Sequence, residues 1–479
     1  MLWVALHLPQ LPLEALLRGR ALSEARGEPW AVIEGREVLA CDAAARALGV
    51  RPGMALSAAW ALAPRLRARP RDAGLEREAL EAIAGWLCRF TPSVSLEPPQ
   101  GVLAELRGSL RLFGGIGPLA AQLRAGLGEM GFTARLAAAP TARGAWWLAL
   151  GSSEALLEER AQLERALAVL PVDALGCDPG SLALLADVGV ACVGELMRLP
   201  RDGVARRFGQ ALLDALDQAL GSAPEARACY RLPERFAARL ELPAPVTQAE
   251  SVLFAARRLL VQLEGFLAAR HAGIRRFALR LRHRDARDGV IGIGLAAPAR
   301  EAEHFTRLLR ERLQAITLTE PVEAIALEAA ALVPLPGASA NLFRDARTEG
   351  EEWARLIERL EARLGGGTVQ GLAVHPDHRP ERASRRIAPL GGTQRAASAG
   401  PRPLWLLEPA RRLREAGGAP QDGGPLELLA GPERIESGWW DGGEIARDYF
   451  IARSADAALL WVYRERGAAG GWYLHGIFA

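Results

Sequence analysis

The order of predicted strands and helices divides the chain into blocks of different character, and this order limits the fold more than any other feature. From residue 2 to about residue 130, short apolar runs typical of buried strands alternate with amphipathic helices. Residues 166–232 carry only helical patterns, and residues 235–333 return to strands and long helices. Because one hydrophobic core stops growing near ~250–300 residues, the 479 residues predict a multidomain α+β protein.

The first block predicts a layer of strands covered by helices. Strands are predicted at 2–8, 31–33 and 38–41, helices at 43–48, 55–63, 76–90 and 118–130, and a further hairpin at 102–106 and 109–113.

The basic side chains other than histidine are all arginines: Lys and Arg together number 59, none of them is lysine, and the net charge is +3. A GC-rich genome explains this usage, since Ala, Gly and Pro are also abundant. Whatever its origin, a guanidinium group binds phosphate through two hydrogen bonds and stays charged.

The cysteines and the hydropathy indicate the compartment. Five widely spaced cysteines without a C-x-x-C pair argue against a zinc ribbon or a disulfide framework and fit a reducing environment. No signal peptide is visible at Met1, and no uncharged apolar run reaches the ~18 residues that span a bilayer. We therefore expect a soluble cytoplasmic protein.

Residues 275–284 predict a strand with one apolar and one basic face. Strand alternation puts Phe277, Leu279 and Leu281 on one side. The other side carries four arginines, which are Arg276, Arg280, Arg282 and Arg284. A stripe of one charge sign predicts contact with a nucleic-acid backbone, and the alternative is a merely solvated face.

Residues 184–196 predict a helix, a glycine turn and a second helix, with Gly189 and Gly194 at the hairpin. In a helix-hairpin-helix, backbone N–H groups at a helix start face a phosphate. The alternative is an ordinary pair of antiparallel helices in which the glycine ends the first helix.

The C-terminal part predicts a linker followed by a small β domain. Residues 335–348 are rich in small residues and contain two apolar side chains, Leu342 and Phe343. The last 76 residues hold five of the twelve tryptophans, which we expect mostly in the core of that β domain rather than stacked on bases. A group of His375, Asp377, His378 and Glu381 is interpreted as a hydrogen-bonded turn rather than a metal site.

Four stretches together resemble one family. Residues 91–108 are similar, without a gap, to the second sequence motif of Y-family DNA polymerases. The others are Leu112–Gly115, Pro376–Arg382 and Gly431–Trp440, of which the last two are long and specific. Over essentially its full length the chain resembles ImuB, the catalytically degenerate branch of the Y-family translesion polymerases in bacterial mutasome cassettes.

The resemblance implies a Y-family polymerase-like fold with a C-terminal tail. It assigns 1–12 and 78–165 to the palm, 13–77 to the fingers, 166–233 to a helical thumb with the helix-hairpin-helix, 236–334 to the little finger, 335–348 to a clamp-binding linker and 349–479 to a partner-binding region.

The family's catalytic carboxylates have no counterpart in this comparison. Residues 2–10 contain no acid, and Gln100-Gly101 stands at the place of the Asp-Glu pair. Two-metal catalysis needs ligands for two cations about 3.5–4 Å apart, and Mg²⁺ takes them mainly from carboxylates and phosphates. The resemblance implies no catalytic residue, metal or cofactor. The alternative is an active polymerase with Glu97 or Glu105 as unconventional ligands, although Glu105 matches a structural position.

The nucleotide-binding positions of the family are also depleted. In the fingers motif, alanine replaces a tyrosine while Arg46 remains, either as a residual triphosphate contact or as a salt-bridge residue. In the palm motif, Ala142 and Trp146 stand at the places of two lysines, and Arg143 lies one residue on.

The resemblance also implies partners. Residues 339–343 are similar to the clamp motif Gln-Leu-x-Leu-Phe but lack its glutamine. Leu342 and Phe343 would be the apolar anchors of this motif. The alternative is that these two side chains pack on the little finger. The implied function is a non-catalytic adaptor at the bacterial nucleoid. It would bind primer–template DNA and the sliding clamp (the DNA polymerase III beta subunit), and recruit an error-prone C-family DNA polymerase and a RecA-like, ImuA-type protein. A third interpretation is a tail-centred single-stranded DNA-binding module.

Overall fold

A computed structural model describes residues 1–20, 28–151, 154–284, 288–335, 346–365, 367–389, 401–467 and 470–478, with the side chains described from residue 352 in the helix that begins at 346. The chain divides into two compact units, Met1–Arg363 and Leu364–Ala479. Within the described ranges, no helix is both long and apolar enough to cross a membrane.

The first 150 residues form two small sheets with their helices. In chain order the elements are β1 (Trp3–His7), α1 (Leu11–Leu17), β2 (Trp30–Glu34), β3 (Glu37–Cys41), α2 (Ala43–Ala47), α3 (Leu56–Leu62), β4 (Arg67–Pro70), α4 (Ala73–Leu87), β5 (Val94–Glu97), β6 (Gly101–Glu105), α5 (Leu110–Phe113), α6 (Ile116–Met130), β7 (Arg135–Ala139) and α7 (Ala142–Leu150). The larger sheet has the order β5-β6-β1-β7 and is antiparallel, and the smaller one has the order β3-β2-β4.

Strand β1 is buried on both faces because helices cover both sides of the larger sheet. Val4 and Leu6 point into a core shared with α4 and α6, whereas Ala5 and Leu103 point into a second core with α7. This alternation explains why the opening run is apolar throughout.

The predicted hairpin between residues 102–106 and 109–113 is wrong. Strand β6 pairs with β5 on one side and with β1 on the other, so it has no free edge for another strand. Residues 107–109 instead form a 3-10 turn that leads into α5. There the Ser109 hydroxyl donates to the carbonyl of Phe90, 2.5 Å away.

Five helices follow, which are α8 (Arg160–Ala168), α9 (Pro179–Asp187), α10 (Val193–Arg198), α11 (Arg201–Phe208) and α12 (Gln210–Leu220). Their apolar faces pack on α7 around the fully buried Trp147. The Asp178 side chain accepts from the backbone N–H of Ser181 and begins α9.

A second sheet-and-helix layer completes the first unit. Its elements are β8 (Phe236–Val246), α13 (Ala249–Ala269), β9 (Ala272–His283), β10 (Gly289–Ala299), α14 (Ala302–Gln314), β11 (Val322–Ala329), β12 (Leu332–Pro334) and α15 (Ala346–Leu364). The sheet has the order β10-β9-β11-β8, with β12 paired to β9. Helix α15 is held on this layer by Glu358, which lies 2.7 Å from His304 Nε2 and accepts the N–H of Ala296.

Trp86 joins the two layers of the first unit into one hydrophobic core. Its indole, on α4, lies against Gly126 on α6 and Gly265 on α13. A Cβ atom at Gly126 would lie 2.1 Å from the ring, and one at Gly265 would lie 2.5 Å from it. Only glycine admits the ring at both positions, so the packing fixes α13 against the N-terminal region.

The second unit is a β domain, as predicted. Its strands are β13 (Gly371–Val374), β14 (Ser384–Ile387), β15 (Trp405–Arg412), β16 (Arg414–Ala416), β17 (Ala419–Gln421), β18 (Glu427–Ser437), β19 (Ile445–Arg453), β20 (Leu459–Glu465) and β21 (Gly471–Ile477). The main sheet has the order β15-β21-β20-β19-β18, and β13–β14 and β16–β17 are separate hairpins.

The expectation of buried tryptophans in this domain holds for only two of the five. Trp461 and Trp472 are buried, together with Tyr449 and Tyr463. It is wrong for the other three, Trp405, Trp439 and Trp440, which are 69%, 76% and 58% exposed. Trp405 begins an edge strand and the other two occupy a hairpin loop, positions that the core does not reach.

The Trp86 contact predicts opposite effects for two glycines of α6. Gly126→Ala forces a methyl group into the indole, and we expect it to lower the free energy of unfolding by about 1–3 kcal/mol. At Gly128 an added Cβ meets nothing within 4 Å, so Gly128→Ala should be neutral or stabilise by up to about 1 kcal/mol through helix propensity. Urea unfolding measures both, and equal effects would contradict the shared core.

Candidate functional site

The ends of β1 and β6 meet at an apolar, tightly packed site. His7 lies opposite Gly101 on β6 and opposite Arg135 on β7. The Trp146 ring contacts His7 edge-on, with ring centroids 5.5 Å apart. A Cβ atom at Gly101 would lie 2.4 Å from that ring. Trp146 therefore fills the space over the strand ends, and only glycine fits beneath it.

His7 contributes no charge to this site. Burial is the main cause that lowers the pKa of His7, and the nearby Arg135 guanidinium lowers it further. Hydrogen bonds with Gln100 and Ala149 act in the opposite direction but do not reverse the shift. The imidazole is therefore neutral at pH 7, beside an amide and a glycine.

The acids nearest to this site are engaged by arginines. Glu97, at the end of β5, forms ion pairs with Arg227 and with Arg143, the latter with 3.6 Å between Nη1 and Oε1. Glu225 pairs with the same two guanidinium groups and accepts the backbone N–H of Arg143 at 2.9 Å. Arg227 also donates to Ser95 Oγ. The four side chains form one alternating cluster, called the Glu97 cluster below.

The two glutamates considered as unconventional metal ligands lie far apart. Glu97 is opposite Gly101 at one end of β6, and Glu105 ends the strand at the other. Four residues of strand span roughly 13 Å, whereas two catalytic metals lie about 3.5–4 Å apart. Glu105 Oε1 accepts the N–H groups of Leu2 and Arg107, at 2.9 and 3.2 Å, which is a structural role.

Arg46 lies on the exposed surface of the small N-terminal sheet domain. It sits in α2, where its Nε donates to the carbonyl of Asp42 at 3.4 Å. Within the part of the chain that the structure describes, no carboxylate forms an ion pair with it. Two roles were left open for Arg46, a triphosphate contact and a salt bridge. No partner for the salt bridge lies among these residues.

Arg276, Arg280 and Arg282 lie on the exposed face of β9, and Arg284, also exposed, follows directly after the strand. Acids of β11 and β8 lie beside three of these four arginines. Arg280 pairs with Glu328 at 2.8 Å, Arg282 with Glu241 at 2.6 Å and Arg284 with Glu323 at 2.7 Å. Exposed pairs of this kind are weak, typically below about 1 kcal/mol, so a phosphate can displace the carboxylate.

Arg276 differs from the other three because it forms no ion pair among the described residues. Its neighbour across the strands is Gly294 on β10, the edge strand. Gly294 and Gly292 are exposed, and an added Cβ at either would meet nothing within 4 Å. A flat strip of bare backbone therefore runs beside Arg276.

The two hairpin glycines have different roles. Gly189 follows α9 with φ of +76° and an open Cβ direction, which suits a turn that exposes its backbone. Gly194 lies inside α10, where a Cβ atom would be 2.7 Å from the carbonyl oxygen of Ala168. It allows close packing of α10 on α8.

The remaining candidate residues are the two anchors of the predicted clamp motif and the two carboxylates of the group at residues 375–381. Leu342 and Phe343 lie outside the described residues. Asp377 is bound to Arg379, and Glu381 forms an ion pair with Arg447 at 3.1 Å. Each of these two carboxylates thus has an arginine partner.

Sequence reasoning missed Arg227 and Glu225. Both lie about 130 residues after Glu97 in a stretch without regular secondary structure. No local pattern marks them. A single alanine separates Glu225 from Arg227, and an acid two residues before an arginine is too common a pattern to have identified the pair.

Comparison with known proteins identifies a family, a full-length relative and two similar solved structures. Residues 16–149 match the model of the impB/mucB/samB family. Protein ImuB from Caulobacter vibrioides, in strains NA1000 / CB15N and ATCC 19089 / CIP 103742 / CB 15, is 31% identical over 458 residues, covering 90% of this chain and 100% of that protein. Two similar solved structures are a Dbh ternary complex (TM-score 0.39, 16% identity, 68% of this chain and 98% of that one) and DinB from Sulfolobus solfataricus (TM-score 0.39, 15% identity, 70% and 100%).

The N-terminal region is thus an impB/mucB/samB domain, and the chain as a whole belongs to the ImuB family. The resemblance drawn from the sequence is confirmed. The predicted fold class, a Y-family polymerase-like multidomain α+β chain with an added C-terminal β region, is confirmed with it.

The Glu97 cluster predicts that Glu97 stabilises the fold. Glu97→Gln leaves Arg227, only 9% exposed, with one carboxylate fewer. We expect the free energy of unfolding to fall by about 1–3 kcal/mol. A matched control is Glu158→Gln, which breaks the exposed pair with Arg107 and should cost less than about 1 kcal/mol. Urea unfolding compares the two.

The opposite sign would contradict this assignment. A carboxylate reserved for metal destabilises the metal-free protein, because it sits among like charges or unpaired. If Glu97→Gln raised the free energy of unfolding in the absence of divalent cations, Glu97 would qualify as a ligand.

Proposed function

We propose that this protein is a non-catalytic adaptor in translesion DNA synthesis. Membership of the ImuB family supports a role in DNA-damage-induced mutagenesis. The observation that carries the non-catalytic part is Trp146 packed on Gly101 at the strand ends, with neutral His7 beside it. The nearest acid, Glu97, is neutralised by two arginines. Among the residues that the structure describes, no three His, Cys, Asp or Glu side chains are grouped as they would be around a metal ion.

The adaptor holds primer–template DNA through the arginine face of β9. Arg276 and the bare backbone at Gly292 and Gly294 admit a phosphate chain closely. Arg280, Arg282 and Arg284 add their charge once phosphates displace the carboxylates beside them. Gly189 contributes a second, weaker backbone contact from the helix-hairpin-helix.

Recruitment follows from several modest contacts on one chain. Leu342 and Phe343 engage the sliding clamp, and the C-terminal region binds the error-prone C-family polymerase and the RecA-like accessory protein. Once one contact has formed, the others become intramolecular, so the assembly is tight although each site is weak. Such an adaptor increases the time that the catalytic polymerase spends at a damaged template.

The acids beside the arginine face provide the test of DNA binding. Arg276→Ala should weaken binding to primer–template DNA and reduce the slope of log K against log salt by roughly 1. Changing Glu241, Glu323 and Glu328 together to Gln should strengthen binding and steepen that slope, because it releases three arginines. Fluorescence anisotropy at salt concentrations from about 50 to about 200 mM, over which phosphate contacts lose much of their affinity, measures both. Glu158→Gln is the control, and a triple variant that binds like wild type would contradict the assignment of this face.

The clamp contact is tested separately. Leu342→Ala with Phe343→Ala should abolish binding to the purified sliding clamp while leaving DNA affinity unchanged, because the two anchors fill an apolar pocket on the clamp. Leu360→Ala with Leu364→Ala removes two exposed apolar side chains outside the linker and should leave both affinities as they are. Undiminished clamp binding by the linker variant, in surface plasmon resonance, would place the contact elsewhere.

A further inference from the structure

Two adjacent tryptophans stand exposed on a short loop of the C-terminal unit. Residues 438–444 connect β18 to β19, and the loop carries Trp439 and Trp440. Their rings contact each other edge-on with centroids 5.4 Å apart, while 76% and 58% of the two residues remain exposed. Tryptophan normally buries most of its large apolar area, so this exposure needs a reason.

A buried arginine holds the loop in place. The Arg379 side chain is 3% exposed, and its five N–H groups all have acceptors. It donates to both carboxylate oxygens of Asp377, at 3.0 and 2.7 Å. It also donates to both of Asp441, at 2.8 and 2.7 Å, and to the carbonyl of Gly443 at 3.1 Å. Asp441 and Gly443 belong to the loop, so Arg379 holds the part of the loop that follows the two tryptophans.

Glycine at position 438 is required for this arrangement. Its φ is +88°, and a Cβ atom would lie 2.3 Å from the Gly443 carbonyl and 2.6 Å from Arg379 Nη1. Two stretches that stood out in the sequence, Pro376–Arg382 and Gly431–Trp440, are thus one structure. The first supplies the arginine, and the second supplies the first half of the loop, residues 438–440, which leads directly into the Asp441 and Gly443 that the arginine holds.

The charges around the loop argue against a nucleic-acid ligand. The loop itself, residues 438–444, contains two acids, Asp441 and Glu444, and no basic residue. Single-stranded nucleic acids need a positive groove beside the stacking aromatics. Instead the loop carries Glu444, an exposed acid without an ion pair among the described residues.

We propose that the Trp439–Trp440 loop is the docking element through which the tail binds a protein partner with an apolar pocket and a basic side chain at its rim. This rests on the proposed recruiting function and names its contact. Tryptophans that are rigid before binding lose little conformational entropy on docking, and buried tryptophans dominate interface energies. Glu444 complements the basic rim.

The test uses the full-length protein with the purified error-prone C-family polymerase and, separately, the purified RecA-like accessory protein. Trp439→Ala with Trp440→Ala should weaken binding to one of them by about 30-fold or more. Trp405→Ala removes a tryptophan of similar exposure from the opposite edge of the same sheet and should bind like wild type. Circular dichroism checks that both variants remain folded, as expected for exposed side chains.

A second variant tests the role of the arginine. Asp441→Ala leaves both tryptophans but removes two of the acceptors that hold the loop, so it should weaken the same partner by less than the double variant. If the double variant bound both partners as tightly as the wild-type protein does, the inference about the loop would be wrong. The proposed recruitment would still stand in that case, because the wild-type protein binds the partners. Absence of wild-type binding to either partner would instead refute recruitment. If the double variant lost only single-stranded DNA affinity, the loop would be a base-stacking site and the protein-docking proposal would be wrong.

Discussion

The packing of Trp86 between two glycines is the contact on which the rest of the first unit depends. The indole spans α4, α6 and α13, and Gly126 and Gly265 lie against it without side chains of their own. Helix α13, which packs on the arginine-bearing sheet, meets the N-terminal helices α4 and α6 at this point. The sheet and the N-terminal region share one core. The arginine face that we propose to bind DNA is therefore supported by the same core as the N-terminal region.

The packing at the ends of β1 and β6 supports the proposed absence of catalysis. An active two-metal site must hold several carboxylates close together, which destabilises the protein until cations bind. Here the strand ends carry a neutral histidine, a glycine and a tryptophan, and the nearby acids are paired with arginines. Each of these contacts stabilises the fold in the absence of metal. None of these contacts needs a cation, which is consistent with the proposed non-catalytic role.

The sequence predicted what depends on local pattern. Strand alternation put Arg276, Arg280 and Arg282 on one face of β9, with Arg284 just beyond its end, and the spacing of glycine and apolar residues marked α9 and α10. What it did not predict depends on strand order and on distant partners. The acids beside Arg280 and Arg282 come from β11 and β8, and their positions follow only once the sheet order is known.

The same limit applies to the site and to the tail. Gly101 and Trp146 were each noticed as departures from the family, but their mutual contact is tertiary. The wrong hairpin arose because nothing local reveals that both edges of β6 are occupied. Trp439 and Trp440 were expected in the core, since apolar character alone does not distinguish a buried side chain from an exposed one.

Primer extension tests the central claim most directly. The purified protein would be incubated with primer–template DNA, nucleotides and Mg²⁺ or Mn²⁺, beside its Glu97→Gln and Glu105→Gln variants. The account predicts no extension by any of the three, and synthesis in the same reaction once the purified error-prone C-family polymerase is added. Extension by the wild-type protein that either substitution abolishes would contradict it, because a contaminating polymerase would not respond to these changes.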